Sequence, residues 1–265
     1  MRLIVNADDF GLDTTTNAGV LIAFNQGLIS SSTIMANMPG FEEACEIARE
    51  RKLLQHIGIH AVFTAGLPIT ERIRREPSFC DSDGRFRSRQ MHFCLSNSEF
   101  DACAEEIEAQ IKLCRGNGLP LTHIDSHHYI HEWWGIATVF MHVARYHGIK
   151  GIRITPKGIK DIHRYKYRRL KNAYRHIVDW RLRRGGFAKT DLLLMPGEYT
   201  ARLRSRGSSQ LNEHTAVEVI VHPGFSDDGE LIDALERQAL TKCLAGIPVS
   251  EAVSYTGAIL GPEQA

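Results

Sequence analysis

Two carboxylates stand side by side at Asp8 and Asp9, directly after an apolar run that includes Leu3, Ile4 and Val5 and just before Gly11. Adjacent ionised carboxylates repel each other, and partial burial raises that cost, so a cation or cationic side chains must offset it. The plain structural alternative is a helix N-cap, in which an Asp at a strand-to-helix turn accepts free backbone N–H groups. Further along, THIDSHHYIH sets His123, His127, His128 and His131 around Asp125. His60 stands within HIGIHAVF, and His222 follows the apolar run VEVIV. One carboxylate with two imidazoles is a common divalent-metal site that leaves positions open for water and substrate. The second carboxylate of an Asp-Asp pair would then orient or deprotonate bound water, whose pKa the cation lowers. For one His alone a solvated turn is the plainer reading. Four His and an Asp within residues 123–131 favour a metal or acid/base site.

Such residues need a fold that gathers them. Strands are expected at RLIVN, residues 30–37, 56–63, 121–127, 151–155, 190–195 and 217–224. Helices are expected around 17–25, over 41–52 and over 99–118, and between most later strands. Repeated β-then-α order implies parallel strands with crossover helices. No Gly-rich dinucleotide loop and no P-loop is present, which argues against the common nucleotide-binding open sheets. The expected fold is α/β, a (β/α) barrel, distorted or incomplete and TIM-like, forming one domain over residues 1–265. In a parallel barrel the C-terminal strand ends share one face, so residues 8–9, 60, 123–127, 153 and 222 become neighbours. Strand alternation within THIDSH sends His123, Asp125 and His127 to the same side. Residues 64–98 are irregular and read as a long loop or small insertion over one barrel end.

The whole chain narrows the class. Its 265 residues carry 32 Lys+Arg against 31 Asp+Glu, so no global field points to nucleic acid or membrane. The six cysteines form no C-x-x-C pair, as expected of thiols in a reducing compartment. With no signal-peptide pattern and no apolar stretch long enough for a bilayer, the expectation is a soluble cytoplasmic protein without a nucleic-acid or membrane partner. Residues 163–184 are basic, with Tyr167, Leu170, Tyr174, Ile177 and Val178 at helical spacing. An amphipathic helix packed on the barrel, with a solvated basic face, is preferred over a nucleic-acid helix. Trp133 and Trp134 after Glu132 would serve equally as a sugar-stacking surface or as core.

Taken together, NADDFGL at residues 6–12, GIH at 58–60, THIDSHH at 122–128 and HPG at 222–224 resemble the YdjC/ChbG-like carbohydrate deacetylases across nearly the whole chain. The resemblance implies a barrel distantly related to NodB-type polysaccharide deacetylases. It also implies one divalent metal and removal of N-acetyl groups from amino sugars or small oligosaccharides such as chitooligosaccharides. Carried over by position, Asp9, His60 and His127 match the metal ligands, Asp8 the general base and His222 the general acid. Arg153 would orient Asp8 or contact the substrate, with an ion pair at the barrel rim as the alternative. Asp125 and His123 would fix the ligand imidazoles, and His128 is grouped with them near the substrate. Mg²⁺ or Zn²⁺ is the expected ion, with Mn²⁺, Co²⁺ and Ni²⁺ tolerated by the same donors. This chain departs from the family at Tyr129, where a His is frequent, and at AVFT (residues 61–64), both near the expected sugar. Two rivals are another metal-dependent amidohydrolase or phosphoesterase, and a non-catalytic, metal-stabilised carbohydrate-binding protein. A homodimer is left open.

Overall fold

The computed structural model describes residues 1–88, 92–153, 168–206 and 215–259. The first half alternates β1 (Arg2–Phe10), α1 (Thr14–Asn25), β2 (Ser31–Ile34), α2 (Phe41–Glu50) and β3 (Ile57–Ala61), then α3 (Glu71–Arg74) and α4 (Asn97–Gly116). The second half runs β4 (His123–Ser126), α5 (Trp134–Tyr146), β5 (Gly151–Ile152), α6 (Arg168–Arg184), β6 (Leu192–Leu194), α7 (Pro196–Arg206) and β7 (Ala216–Val221). A small antiparallel sheet follows, β8 (Pro223–Phe225), β9 (Leu231–Asp233) and β10 (Gln238–Ala239), then α8 (Leu240–Cys243) and α9 (Tyr255–Ile259).

The seven main strands pair in parallel in the order β5-β4-β3-β2-β1-β7-β6. Around the ring each strand therefore neighbours its predecessor in the chain, as βαβ connections require. Among the described residues, closure between β5 and β6 rests on Ala188, just before β6, which bridges Gly151 in parallel, with Ile152 N donating to Ala188 O at 3.0 Å. The expected (β/α) barrel is present, and this seam is its distortion.

Period-two alternation divides the strands cleanly. Leu3, Val5 and Ala7 of β1, Ile57, Ile59 and Ala61 of β3, and Val217, Val219 and Val221 of β7 face outward into the main apolar core against the helices. The intervening positions face the barrel interior, and most are polar: Asn6 and Asp8, His60, His123 and Asp125, Glu218. α9 stops one end of the barrel, where Tyr255 and Ala258 pack on Ile4.

Local signals set the helix ends. Ser96 and Glu99 form a reciprocal capping box on α4. The cap of α1 is Asp13, whose carboxylate accepts Thr16 N at 2.7 Å, so Asp8 and Asp9 are not spent on capping. One expectation is corrected on α6. Leu170 is 67% exposed and Ile177 51% exposed, whereas Arg175, Val178, Asp179 and Leu182 are buried. The inward face is shifted because Arg175 Nη2 reaches the buried Glu132 carboxylate at 2.6 Å. Tyr167 lies outside the described residues, as do 154–155 of the expected fifth strand. The 64–98 segment contains α3 and a bridge between Cys80 and Phe86. No helix of the described residues is long and apolar enough to cross a membrane.

Candidate active site

Consecutive residues on a regular strand point to opposite faces, yet both Asp8 and Asp9 belong to one cluster. The reason is local. Asp9 adopts φ 67°, and the β1–β2 register shifts between Ala7 and Phe10. Left-handed backbone at a non-glycine residue is strained, and such strain gathers at functional sites. The bulge sends the two carboxylates to different partners.

Asp8 is held by a cation. Arg153 Nη1 donates to Asp8 Oδ2 at 2.7 Å and Nη2 to Oδ1 at 2.6 Å, a two-pronged pair. Asn6 Nδ2 adds a bond to Oδ1 at 2.8 Å. Burial alone would raise the Asp8 pKa, but Arg153 and then His60 overcome it and hold the carboxyl well below the usual range. Arg153, 0% exposed, also lies 2.6 Å from Asp125 Oδ2 and donates through Nε to Glu218 Oε1 at 2.7 Å. A guanidinium directly after β5 that touches carboxylates of β1, β4 and β7 is buried inside the barrel, and is no rim ion pair.

Asp9 faces the imidazoles. Its Oδ1 is buried, has no hydrogen-bond partner among the described residues, and stands 3.3 Å from His60 Nε2. Burial works to raise the Asp9 pKa, and His60 outweighs it, lowering the carboxyl to about 2. His60 Nδ1 is engaged by Asp125 Oδ1 at 2.6 Å and by Thr33 Oγ1 at 3.3 Å. Burial opposes a charge on His60, but Asp125 and Asp8 prevail and push its pKa up to about 10. His127 opens the turn after β4, where Thr64 Oγ1 lies 2.8 Å from its Nδ1 and its ring meets His60 edge-on at 5.8 Å. Burial drives the His127 pKa down to about 3, so the ring is neutral.

The turn that carries His127 is strained too. His128 and Tyr129 both have positive φ, 56° and 53°. His128 stacks on His127 at 3.8 Å, and Tyr129 packs beside Leu193 and Ile220. Ser126 Oγ, 2.6 Å from His131 Nδ1, ties the turn together. His222 follows β7, where its backbone N–H donates to Asp233 at 2.9 Å; its Nδ1 is buried with no hydrogen-bond partner among the described residues. The His222 ring acts electrostatically on both Asp8 and Asp9.

Asp8, Asp9, His60, Asp125, His127, Arg153 and His222 therefore share one locus. Among the described residues, His123 makes no hydrogen bond to His60 or His127. It lies deeper, stacked on Tyr255 at 3.6 Å and bonded to Thr122. Trp134 sits under the Arg181 guanidinium at 4.2 Å, and Trp133 packs near Phe93. Glu218, Tyr255, Asn6, Thr33 and Thr64 were not anticipated from the sequence. Asn6 and Glu218 did leave a signal, as polar residues at alternating positions inside apolar strands.

Which residues fit a cation follows from the donor atoms. Asp8, His60 and Asp125 each bring a donor to within 4.8 Å of the others, but Arg153 and the His60–Asp125 bond already use those carboxylate oxygens. Among the described residues, the donors not tied to Arg153 or to the His60–Asp125 bond are Asp9 Oδ1 and the Nε2 atoms of His60 and His127. Their rings are fixed through Nδ1, as metal-binding imidazoles characteristically are. Bonds of about 2.1 Å in a tetrahedral shell put neighbouring ligands about 3.4 Å apart; one pair meets that spacing, Asp9 Oδ1 and His60 Nε2 at 3.3 Å, while His127 meets His60 ring to ring with centroids 5.8 Å apart.

Known proteins share this sequence and fold. A profile described as YdjC-like protein matches residues 2–251. A Brevibacillus brevis protein named carbohydrate deacetylase is 41% identical over 148 residues, which is 54% of this chain and little more than half, 56%, of that protein. A Thermoanaerobacter pseudethanolicus protein of the same name is 30% identical over 249 residues, 90% of each chain. Among solved structures, an Enterococcus faecalis protein described as a candidate for cellobiose-phosphate cleavage superposes with a TM-score of 0.68 at 24% identity, covering 94% of this chain and 92% of that one. That likeness supports the fold. With the profile spanning almost all of its length, this chain belongs to the YdjC-like family.

Proposed function

We propose that the protein is a metal-dependent carbohydrate deacetylase that hydrolyses the N-acetyl group of amino sugars or their short oligosaccharides, of the chitooligosaccharide kind. The observation that carries the reading is the division of labour at the Asp8–Asp9 bulge: one carboxylate is locked to Arg153, and the other is turned to His60 Nε2 at 3.3 Å, in a cluster with two ring-fixed imidazoles. The names of the relatives in Brevibacillus brevis and Thermoanaerobacter pseudethanolicus support the substrate class.

Asp9, His60 and His127 would hold one divalent ion, Zn²⁺ or Mg²⁺ in the first instance and Mn²⁺, Co²⁺ or Ni²⁺ with similar donors. When bound, such an ion polarises a carbonyl oxygen and lowers the pKa of water. Asp8 stays ionised at neutral pH, and its Oδ2 accepts only Arg153 Nη1 among the described residues, so it has a lone pair for the proton of the attacking water. His222 would supply a proton to the nitrogen as the C–N bond breaks, giving acetate and a free amine. The Asp8 and His222 steps are each worth about 10²–10⁴ in rate.

A phosphoesterase reading is weaker. Phosphate sites want free cations, and Arg153 is already shared among three carboxylates. A purely binding role leaves the Asp8 and His222 placements without a purpose.

The test is acetate release from N-acetylglucosamine oligomers by metal-stripped protein, with divalent ions restored singly. Release should require an ion, collapse in Asp8→Asn while ion binding persists, and vanish with ion binding in Asp9→Ala. No release with any ion, despite tight binding, would reject the deacetylase reading.

A further inference from the structure

Arg153 presents five N–H donors on one rigid plane. Its two-nitrogen end is spent on Asp8 and Asp125. Its remaining donor, Nε, meets the third carboxylate, Glu218, which accepts the Nε proton at 2.7 Å. Glu218 is in turn met by Tyr255, whose hydroxyl lies 3.4 Å from Oε2. Tyr255 is fixed by its 3.6 Å stack on His123 and by burial against Ile4. It belongs to α9, four residues beyond the last position matched by the family profile.

We propose that Glu218 is a positioning residue for the Asp8 base: it sets the rotation of the Arg153 fork, and Tyr255 at the foot of the barrel holds Glu218 in place. The inference rests on the deacetylase reading, in which Asp8 takes a proton from water.

Electrostatics favour a geometric role over a stabilising one. Three carboxylates, Asp8, Asp125 and Glu218, share one guanidinium. Burial pushes the Glu218 pKa up to about 7 despite Arg153. A fully buried carboxylate of that kind is costly to the fold, and replacing it by a neutral group of the same shape is often harmless or stabilising. What it gives in return is orientation. Misplacing a reacting group by about 1 Å can cost about 10²-fold in rate.

The experiment compares the full chain with Glu218→Gln, Glu218→Leu and Tyr255→Phe. It measures kcat and KM for acetate release, ion affinity and thermal unfolding. Glu218→Gln retains an oxygen for Arg153 Nε, so its kcat should stay within about threefold of the parent with an unchanged or higher Tm. Glu218→Leu removes the acceptor and should lose about 10–100-fold in kcat, with KM and ion affinity within about twofold. Tyr255→Phe keeps the stack on His123 and should fall between them.

A Glu218→Leu kcat within twofold of the parent overturns the proposal. So does a loss that Glu218→Gln fails to restore, because charge rather than orientation would then be the cause. Should Glu218→Leu not fold, the ¹⁵N-resolved Arg153 Nε–H signal decides. It must be slow to exchange with solvent in the parent and remain so in Glu218→Gln, and rapid exchange in the parent overturns the proposal. If the parent releases acetate from no acetylated sugar, the deacetylase reading has failed, while the Nε–H signal still judges whether Glu218 holds Arg153.

Discussion

His60 Nδ1 lies 2.6 Å from Asp125 Oδ1 while its other ring nitrogen faces Asp9 at 3.3 Å. Asp125 thereby fixes both the tautomer and the tilt of the ring. The same carboxylate accepts from Thr33 and sits 2.6 Å from Arg153, so it links the proposed ion site to the arginine fork.

Asp125→Asn should weaken divalent-ion binding by about 10–100-fold, the usual cost of removing a partner behind a ligand imidazole. Isothermal titration of the stripped protein with Zn²⁺ measures this directly. Unchanged affinity would mean that His60 is not a ligand, whatever its distance from Asp9.

Thr64 plays the corresponding part for His127, with its hydroxyl 2.8 Å from Nδ1. Thr64→Val keeps the shape and deletes that partner, and ion affinity should drop about tenfold. Thr64→Ser should restore it. Equal affinity in Val and Ser variants would remove Thr64 from the site.

Much of this arrangement was legible beforehand, for reasons visible in particular residues. The apolar run of Leu3, Ile4 and Val5 marked β1 and put the acidic pair at its exit, whereas the strand runs on to Phe10 and only the bulge at Asp9 brings both acids into one cluster. The convergence of Asp9, His60, His127 and His222 followed from parallel topology, because strand ends meet at one face. Other features were hidden because they depend on three-dimensional closure. Glu218 reads as a lone charge in an apolar run until β7 comes beside β1. Tyr255 lies on a helix whose docking no local pattern announces. On α6, Leu170 and Ile177 had the right spacing for a buried face, yet the Arg175–Glu132 pair turned the helix the other way. Helical spacing fixes which residues share a face, but not which face is chosen.

Ion binding should release protons. Burial disfavours charge on His60, yet Asp125 and Asp8 raise its pKa to about 10, so at neutral pH the ring carries a proton on the nitrogen that a cation needs. Below pH 10 the ion must displace that proton, and apparent affinity should rise by up to about tenfold per pH unit between pH 6 and 8. His127, held neutral by burial at a pKa of about 3, contributes no such release in this range. Titration calorimetry in buffers of different ionisation enthalpy should give close to one proton released per ion at pH 7. A value near zero would show that His60 is already neutral, or that the ion binds elsewhere.

Gly58 exposes how tightly the barrel's lower interior is filled. A Cβ added there would lie 2.5 Å from the His123 ring, inside any allowed contact, and the ring cannot retreat because Tyr255 is stacked on its face at 3.6 Å. A second glycine, Gly151, clears the His123 Cβ from the neighbouring strand. Overpacking of this kind costs about 1–3 kcal/mol, which for a chain of this size corresponds to a fall of about 2–10 °C in Tm. Gly58→Ala should show that loss. Adding His123→Ala, which removes the clashing ring, should make the two effects strongly non-additive. Displacement of His123 should also pass through Tyr255 to Glu218, so Gly58→Ala should lower kcat more than its Tm alone accounts for, measured well below the unfolding transition. Additive stabilities in the double variant would mean that Gly58 is required for some reason other than the His123 ring.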